Sequence, residues 1–262
     1  MLTNTVYFQV NPVKNFACSW GILPSDFLNG IKNEPQNIIL LNDDYQNAND
    51  FNMSTKFDII AGENEIREYM IDNRTSTKKW VDFKSKEDLD SLSEDEIADL
   101  LYLSHMGMPM TGISPFSAKI NNQFVFLSDS TGFTKVYLRR FNEINQILAV
   151  CLKRHLKEQW NKRRVFVKSI PFKDVDLQTL TKLLKLGITG VIIPCDMVEI
   201  EKPKLEIPLI RHQKQSPRVI WNSEAQLRAG TEKVGQITYD ISTQTWELRK
   251  DVDDEGELND LV

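Results

Sequence analysis

The sequence predicts an α+β fold, a mixed β-sheet with packed amphipathic helices, and it allows two similar α/β units. Short β-branched and aromatic runs recur along the chain: NIILL at 37–41, FDIIAG at 57–62, FVFL at 124–127 and VIIP at 191–194. Between such runs, leucine and isoleucine repeat at helical spacing on one side only. Of the 262 residues, 41% are hydrophobic and 26% charged, a balance that favours buried cores over disorder.

The elements follow in order. TVYFQV at 5–10 reads as a strand. Val13–Leu23 reads as a short helix ending near Gly21, with Trp20 and Ile22 packed beside it. DFLNGIKNEPQN reads as turns punctuated by Gly30 and Pro35. The Asn- and Asp-rich stretch after NIILL favours a loop, because such side chains compete for backbone hydrogen bonds. ENEIREYMID at 63–72 reads as a helix, and 73–92 as a connector in which KKWVDF forms an edge strand.

Ser93 and Glu96 have the spacing of a capping box, with acids crowding the turn they open. That helix should stop before Gly107. HMGMPMTGISPF is then loop, broken by two glycines and two prolines.

Residues 120–193 hold the best-marked packing unit, in the order β-β-α-β-α-β. Phe124–Leu127 is apolar on both faces, as a covered central strand would be. SDSTG supplies a turn and Lys135–Leu138 returns. Ile144, Ile147, Leu148, Cys151, Leu152 and His155 stripe the next helix. RRVFVKSI reads as a strand. Asp176 caps a helix striped by Leu177, Leu180, Leu183 and Leu184 and ended by Gly187. The spacing permits a right-handed crossover that makes VKS and VII parallel neighbours.

Beyond Pro194, MVEIEKPKLEIPLIRHQKQSPRVIW reads as short edge strands and loops. SEAQLRAG reads as a brief helix and GQITYDISTQTWELRK as a hairpin. The last twelve residues carry six acids and no base, as a solvated tail would. The reading therefore divides the chain into an N-terminal α/β portion at 1–110, a central ββαβαβ unit at 111–200, a β-rich extension at 201–250 and an acidic tail at 251–262.

The formal charge of −5 argues against a general nucleic-acid coat. No apolar run reaches the length of a membrane span, and the opening residues lack the pattern of a signal peptide. Cys18, Cys151 and Cys195 are widely spaced, with no CxxC pair. With only three histidines, no metal site and no cofactor is expected. The odd count points to a reducing compartment, hence the cytoplasm.

Residues 139–168 include nine Lys or Arg and two acids. Arg139, Arg140, Arg154, Lys157, Arg163 and Arg164, with Trp160 as the one stacking aromatic, form the candidate partner-binding set. A solvated helix face is the ordinary explanation of such a run. An acidic protein partner is the first functional one and nucleic acid the second. The acidic stretch 82–99 could serve as their counterpart within the chain. Catalytic candidates are sparse. Cys195 and Asp196 follow a strand end, where α/β sheets line ligand crevices, and His105 lies in a Gly- and Pro-bounded loop. No GxSxG, GxGxxG or P-loop pattern occurs.

FVFLSDSTGFTKVYLRRFNEINQIL and FKDVDLQTLTKLLKLGITGVIIP together resemble SseB-like domains. The match covers about a third of the chain and is one of layout: a hairpin, a helix, then a strand, a leucine-rich helix and an apolar strand. The family's Gly-Asp-Gly turn and following Asn-Pro are replaced here by Gly187–Gly190 and Pro194–Cys195. The resemblance implies a binding or regulatory domain and carries over no catalytic residues. VKNFACSWGILPSDF is similar to the opening of DarT-like ADP-ribosyltransferases, but no glutamate or basic anchor stands in matching context. The sequence thus points first to a protein that acts through protein–protein interaction. The alternatives are a small-molecule hydrolase or transferase with a pocket at the central strand ends, and a nucleic-acid binder using 139–168.

Overall fold

The computed structural model describes residues 4–42, 45, 47–72, 77–106, 112–162, 172–201, 203–212 and 223–251. The strands are β1 (Thr5–Asn11), β2 (Phe16–Trp20), β3 (Asn37–Leu40), β4 (Asp50–Phe51), β5 (Asp58–Ala61), β6 (Lys78–Asp82), β7 (Phe124–Ser128) and β8 (Phe133–Leu138). They continue as β9 (Val191–Pro194), β10 (Glu199–Glu201), β11 (Lys204–His212), β12 (Thr231–Asp240) and β13 (Thr245–Lys250). The helices are α1 (Pro24–Gly30), α2 (Glu63–Ile71), α3 (Lys86–Asp90), α4 (Glu94–Leu103), α5 (Glu143–Lys162), α6 (Leu177–Gly187) and α7 (Glu224–Arg228).

The α+β class stands, and all described strands share one sheet. Its order is β13-β12-β11-β9-β1-β2-β8-β7-β6-β3-β5-β4, with β10 beside β11. It joins strands from 1–110, 111–200 and 201–250 without a break. Every described pairing is antiparallel, so the mixed sheet and the parallel neighbour expected for VII do not occur among the described residues. The reason lies in who holds each free edge. β9 pairs with β1, and β6 with β7. The strand that closes each half therefore lies against the first hairpin strand of the other half.

The result is a symmetric order about the β2–β8 pair. Each half runs hairpin, helix, intervening chain, helix, closing strand: β1-β2-α1 to α2-β6, and β7-β8-α5 to α6-β9. Of the four segments expected to share the sheet, those holding Phe124, Val136 and Ile192 do. RRVFVKSI, with Phe166, lies outside the described residues, as do 107–111 of the expected loop, 213–222 of the expected edge strands and the tail beyond Asp251.

Period-two alternation sorts the core. Ile38, Trp80, Phe124 and Phe126 face α1, α2, α5 and α6, whereas Ile39, Val81, Val125 and Leu127 face α3 and α4. β7 is buried along its whole length, as its two apolar faces require. α1 and α5 approach so closely that a Cβ on Gly30 would stand 2.5 Å from the Ile147 Cα. Local signals account for the other well-marked elements. Ser93 N–H donates to Glu96 Oε2 at 2.8 Å to open α4, and Thr179 N–H donates to Asp176 Oδ1 at 2.9 Å to open α6.

Four segments differ from expectation. Val13–Leu23 is a turn and strand β2, not a helix: Asn15 turns the chain at φ 53°, and FACSW is then claimed by ladders from β1 and β8. DFLNG is helix α1 rather than turns. Pro24 stands in its first turn, and the Leu23 N–H donates to Asp26 Oδ2 at 2.9 Å. KKWVD is central rather than edge, flanked by β3 and β7. KLEIPLIRH is a nine-residue inner strand beside β12. Pro208, which has no N–H to give, falls between the stretches of β11 that meet β10 and β9, next to a register shift at Leu209/Ile210.

Asp82 fixes the start of β7. Its buried carboxylate accepts the Gln123 N–H at 2.9 Å and the Phe124 N–H at 2.6 Å. Burial pushes its pKa up to about 6, against the backbone N–H groups and Arg139, which pull it down. The folded protein therefore holds this proton more tightly than the unfolded chain. Between the unfolded value near 4 and the folded value, stability from Asp82 falls as pH rises, by about 3 kcal/mol in all. Asp82→Asn is expected to remove that slope. Urea titrations of both proteins from pH 4 to pH 7 check it: the wild-type-minus-variant difference should decline across the window, and a flat difference would contradict the assignment.

Candidate interaction surface

Helix α5 is the longest element and decides what the basic region can do. Its inner stripe buries Ile144, Ile147, Leu148, Cys151, Leu152, His155 and Leu156. Trp160 is buried on the same side, its ring 6.3 Å from Phe172, so the one stacking aromatic points into the core. Arg154 also turns inward. Its Nε donates to Asp26 Oδ1 at 2.8 Å and its Nη2 to Asp26 Oδ2 at 2.7 Å, a two-point grip on a buried carboxylate. The same guanidinium reaches Gly21 O at 3.2 Å and Glu158 Oε1 at 3.2 Å. Asp26 is the residue that caps α1, so Arg154 ties α5 to the entry of α1.

His155 sits beside this pair, with Nε2 3.3 Å from Gly21 O. Burial, then the neighbouring guanidinium, lowers its pKa and keeps it neutral. Its Nδ1 has no hydrogen-bond partner among the described residues.

The remaining bases of the set are spread out. Arg139 is half-buried, donating to Asn122 O at 2.7 Å and Ser117 O at 3.2 Å with its guanidinium over the Phe116 ring. Arg140 is exposed just before α5, and Lys157 is exposed near its other end. Arg163 and Arg164 lie outside the described residues. Within the acidic stretch 82–99, Asp82 feels Arg139 of this region; α3 and α4 lie across the sheet from α5.

The structure adds bases that the sequence reading passed over. Lys182 and Lys185 are exposed on α6, opposite its leucine stripe, and α6 packs beside α5. Lys153 on α5 pairs with Asp174, in the segment that leads into α6, at 2.7 Å. The signal was present in DLQTLTKLLKLG, where helical spacing sets both lysines outside the buried face. Across the sheet, the exposed surface of α3 and α4 carries Glu87, Asp90, Glu94, Asp95 and Asp99. The exposed faces of α5–α6 and of α3–α4 thus bear opposite charge.

The catalytic candidates do not converge. Cys195 is buried at the end of β9, and burial pushes its thiol up to about 12. Asp196 turns outward instead, to Arg228 on α7 at 2.5 Å. Arg228 also holds Glu224 at 2.7 Å and Thr5 Oγ1 at 2.7 Å, which pins α7 to the start of β1. His105 is exposed past the end of α4, its ring 6.0 Å from Tyr102, in the layer opposite the core that holds Cys195. Cys18 lies on β2 opposite Lys135, and burial pushes it up to about 11.

A cleft of about 340 Å³ opens beside α2, lined by Tyr45, Asn47, Asn49, Ile60, Glu65 and Glu68. Among the described residues, no group of three or more His, Cys, Asp or Glu is placed to hold a metal ion, and no helix is long and apolar enough to cross a membrane. No family model, no curated protein and no solved structure matches the chain.

Proposed function

We propose that this is a cytoplasmic binding or regulatory protein that works through protein–protein contact, with an acidic protein surface as its partner. The observation that carries the reading is the exposed lysine set on the paired helices α5 and α6: Lys157, Lys182 and Lys185. A basic helical surface set across the sheet from an acidic one repels a basic partner and steers an acidic one, which governs encounter and partner choice more than affinity. The resemblance of about 120–200 to SseB-like domains supports the same role. The free, buried thiols of Cys151 and Cys195 support a reducing compartment.

Reversing the charge of Lys157, Lys182 and Lys185 to glutamate tests it. The proteins captured from native lysate by the wild type are expected to be acidic, to elute with salt and to be lost by the triple variant. An unchanged set would contradict the reading. Captured RNA or DNA released by the same substitutions would replace it with the nucleic-acid alternative.

A further inference from the structure

The two ends of the sheet are built differently. At one end, β4 is two residues long, a short edge that offers little to another strand. At the other, β13 runs for six residues beside β12 in unbroken register, with no proline, glycine or bulge of its own. Among the described residues it is bonded on one side only.

The phase of its free side can be read directly. Asp251 N–H donates to Val234 O, so the backbones of residues 251, 249, 247 and 245 face β12. The N–H and C=O groups of Trp246, Leu248 and Lys250 therefore point away from the sheet. The Trp246 and Leu248 side chains are buried in the core, while Glu247 and Arg249 stand exposed on the opposite face.

We propose that this edge pairs with the same edge of a second copy of the chain, antiparallel and centred on Leu248. The outward backbone groups must pair with one another, which allows registers centred on any residue from Trp246 to Lys250; centring on Glu247 or Arg249 would set that charge against its own copy. Centring on Leu248 places Glu247 of each copy opposite Arg249 of the other, in the narrow pairs where side chains approach most closely. It also sets Lys250 across from the Trp246 ring, an arrangement a cation and an indole favour. Centring on Lys250 would oppose two like charges, and centring on Trp246 would leave Glu247 facing Thr245. Charge complementarity thus selects one register. Within the chain, Arg249 pairs with its neighbour Asp251 at 3.4 Å and is two-thirds exposed, free to turn to a new partner. A contact built on one strand pair is small, so the dimer should be reversible, with Kd roughly micromolar. This inference does not rest on the charged helical surface described above.

Sedimentation of the full chain over a range of concentrations tests it. The wild type is expected to pass from 30.3 kDa to twice that mass. Glu247→Arg and Arg249→Glu, each alone, oppose like charges twice across the twofold and should weaken the dimer by about tenfold or more. The double swap restores both pairs and should bring Kd back to near the wild-type value. A wild type that stays monomeric, a dimer indifferent to the single reversals, or a double swap that fails to recover would each overturn the proposal.

Discussion

Arg154→Ala is expected to destabilise the fold by about 3–5 kcal/mol, the usual cost of breaking a buried ion pair from one side. The Asp26 side chain is 2% exposed and is gripped at two points by the guanidinium. Without it, the carboxylate keeps the Leu23 N–H but loses its counter-charge in the core. Two further links go at once, to Gly21 O and Glu158. Arg154→Met with Asp26→Ala should cost far less than the sum of the single changes, because no uncompensated charge remains. Equilibrium unfolding in urea measures both. A loss below about 1 kcal/mol in the single variant would mean that Arg154 behaves as a surface residue.

Trp80→Ala should be comparably severe, at about 3–5 kcal/mol. Trp80 is fully buried at the centre of β6. Its indole stacks on Phe126 with ring centroids 5.4 Å apart and planes within 7°, and it meets the Phe27 ring edge-on at 5.9 Å. Its Nε1 donates to Met70 Sδ at 3.1 Å. One side chain thereby joins α1, α2, β6 and β7, the elements at which the two halves meet. Trp80→Phe keeps a ring in the stack and should lose only part of that stability. If Trp80→Ala unfolds within about 1 kcal/mol of the wild type, β6 is the peripheral strand that its sequence suggests.

The residues explain which parts of this fold could be read beforehand. α4, α6, α7 and the β12–β13 hairpin are marked by local chemistry: Ser93 with Glu96, Asp176 with Thr179, Ser223 with Gln226, and alternation through Tyr239 and Trp246. α1 has a local start signal in Pro24 and Asp26, whereas β2, β6 and β11 are decided by distant partners. FACSW is a strand because β8, more than a hundred residues later, bonds to it. KKWVD has a polar start and end, and only β3 and β7 on either side make it central. The exchange of closing strands between the halves has no local signature at all.

The same division holds at the surface. A count of bases placed a patch at 139–168, but burial draws Arg154 and Trp160 inward, while contact between α5 and α6 adds Lys182 and Lys185. Asp26 and Arg154 are 128 residues apart, and nothing in either segment announces the other. Cys195 and Asp196, adjacent in sequence, are sent to opposite sides by the turn that follows β9.

The central claim is that each half lends its closing strand to the other half's hairpin. Cross-strand nuclear Overhauser effects in a deuterated sample test it most directly. Contacts are expected between Tyr7 and Ile192 and between Trp80 and Phe126, the β1–β9 and β6–β7 partners. An assigned spectrum in which Val191–Pro194 shows no contact with Thr5–Phe8 would contradict the exchange, and with it the single sheet that sets the basic face of α5–α6 and the acidic face of α3–α4 on opposite sides.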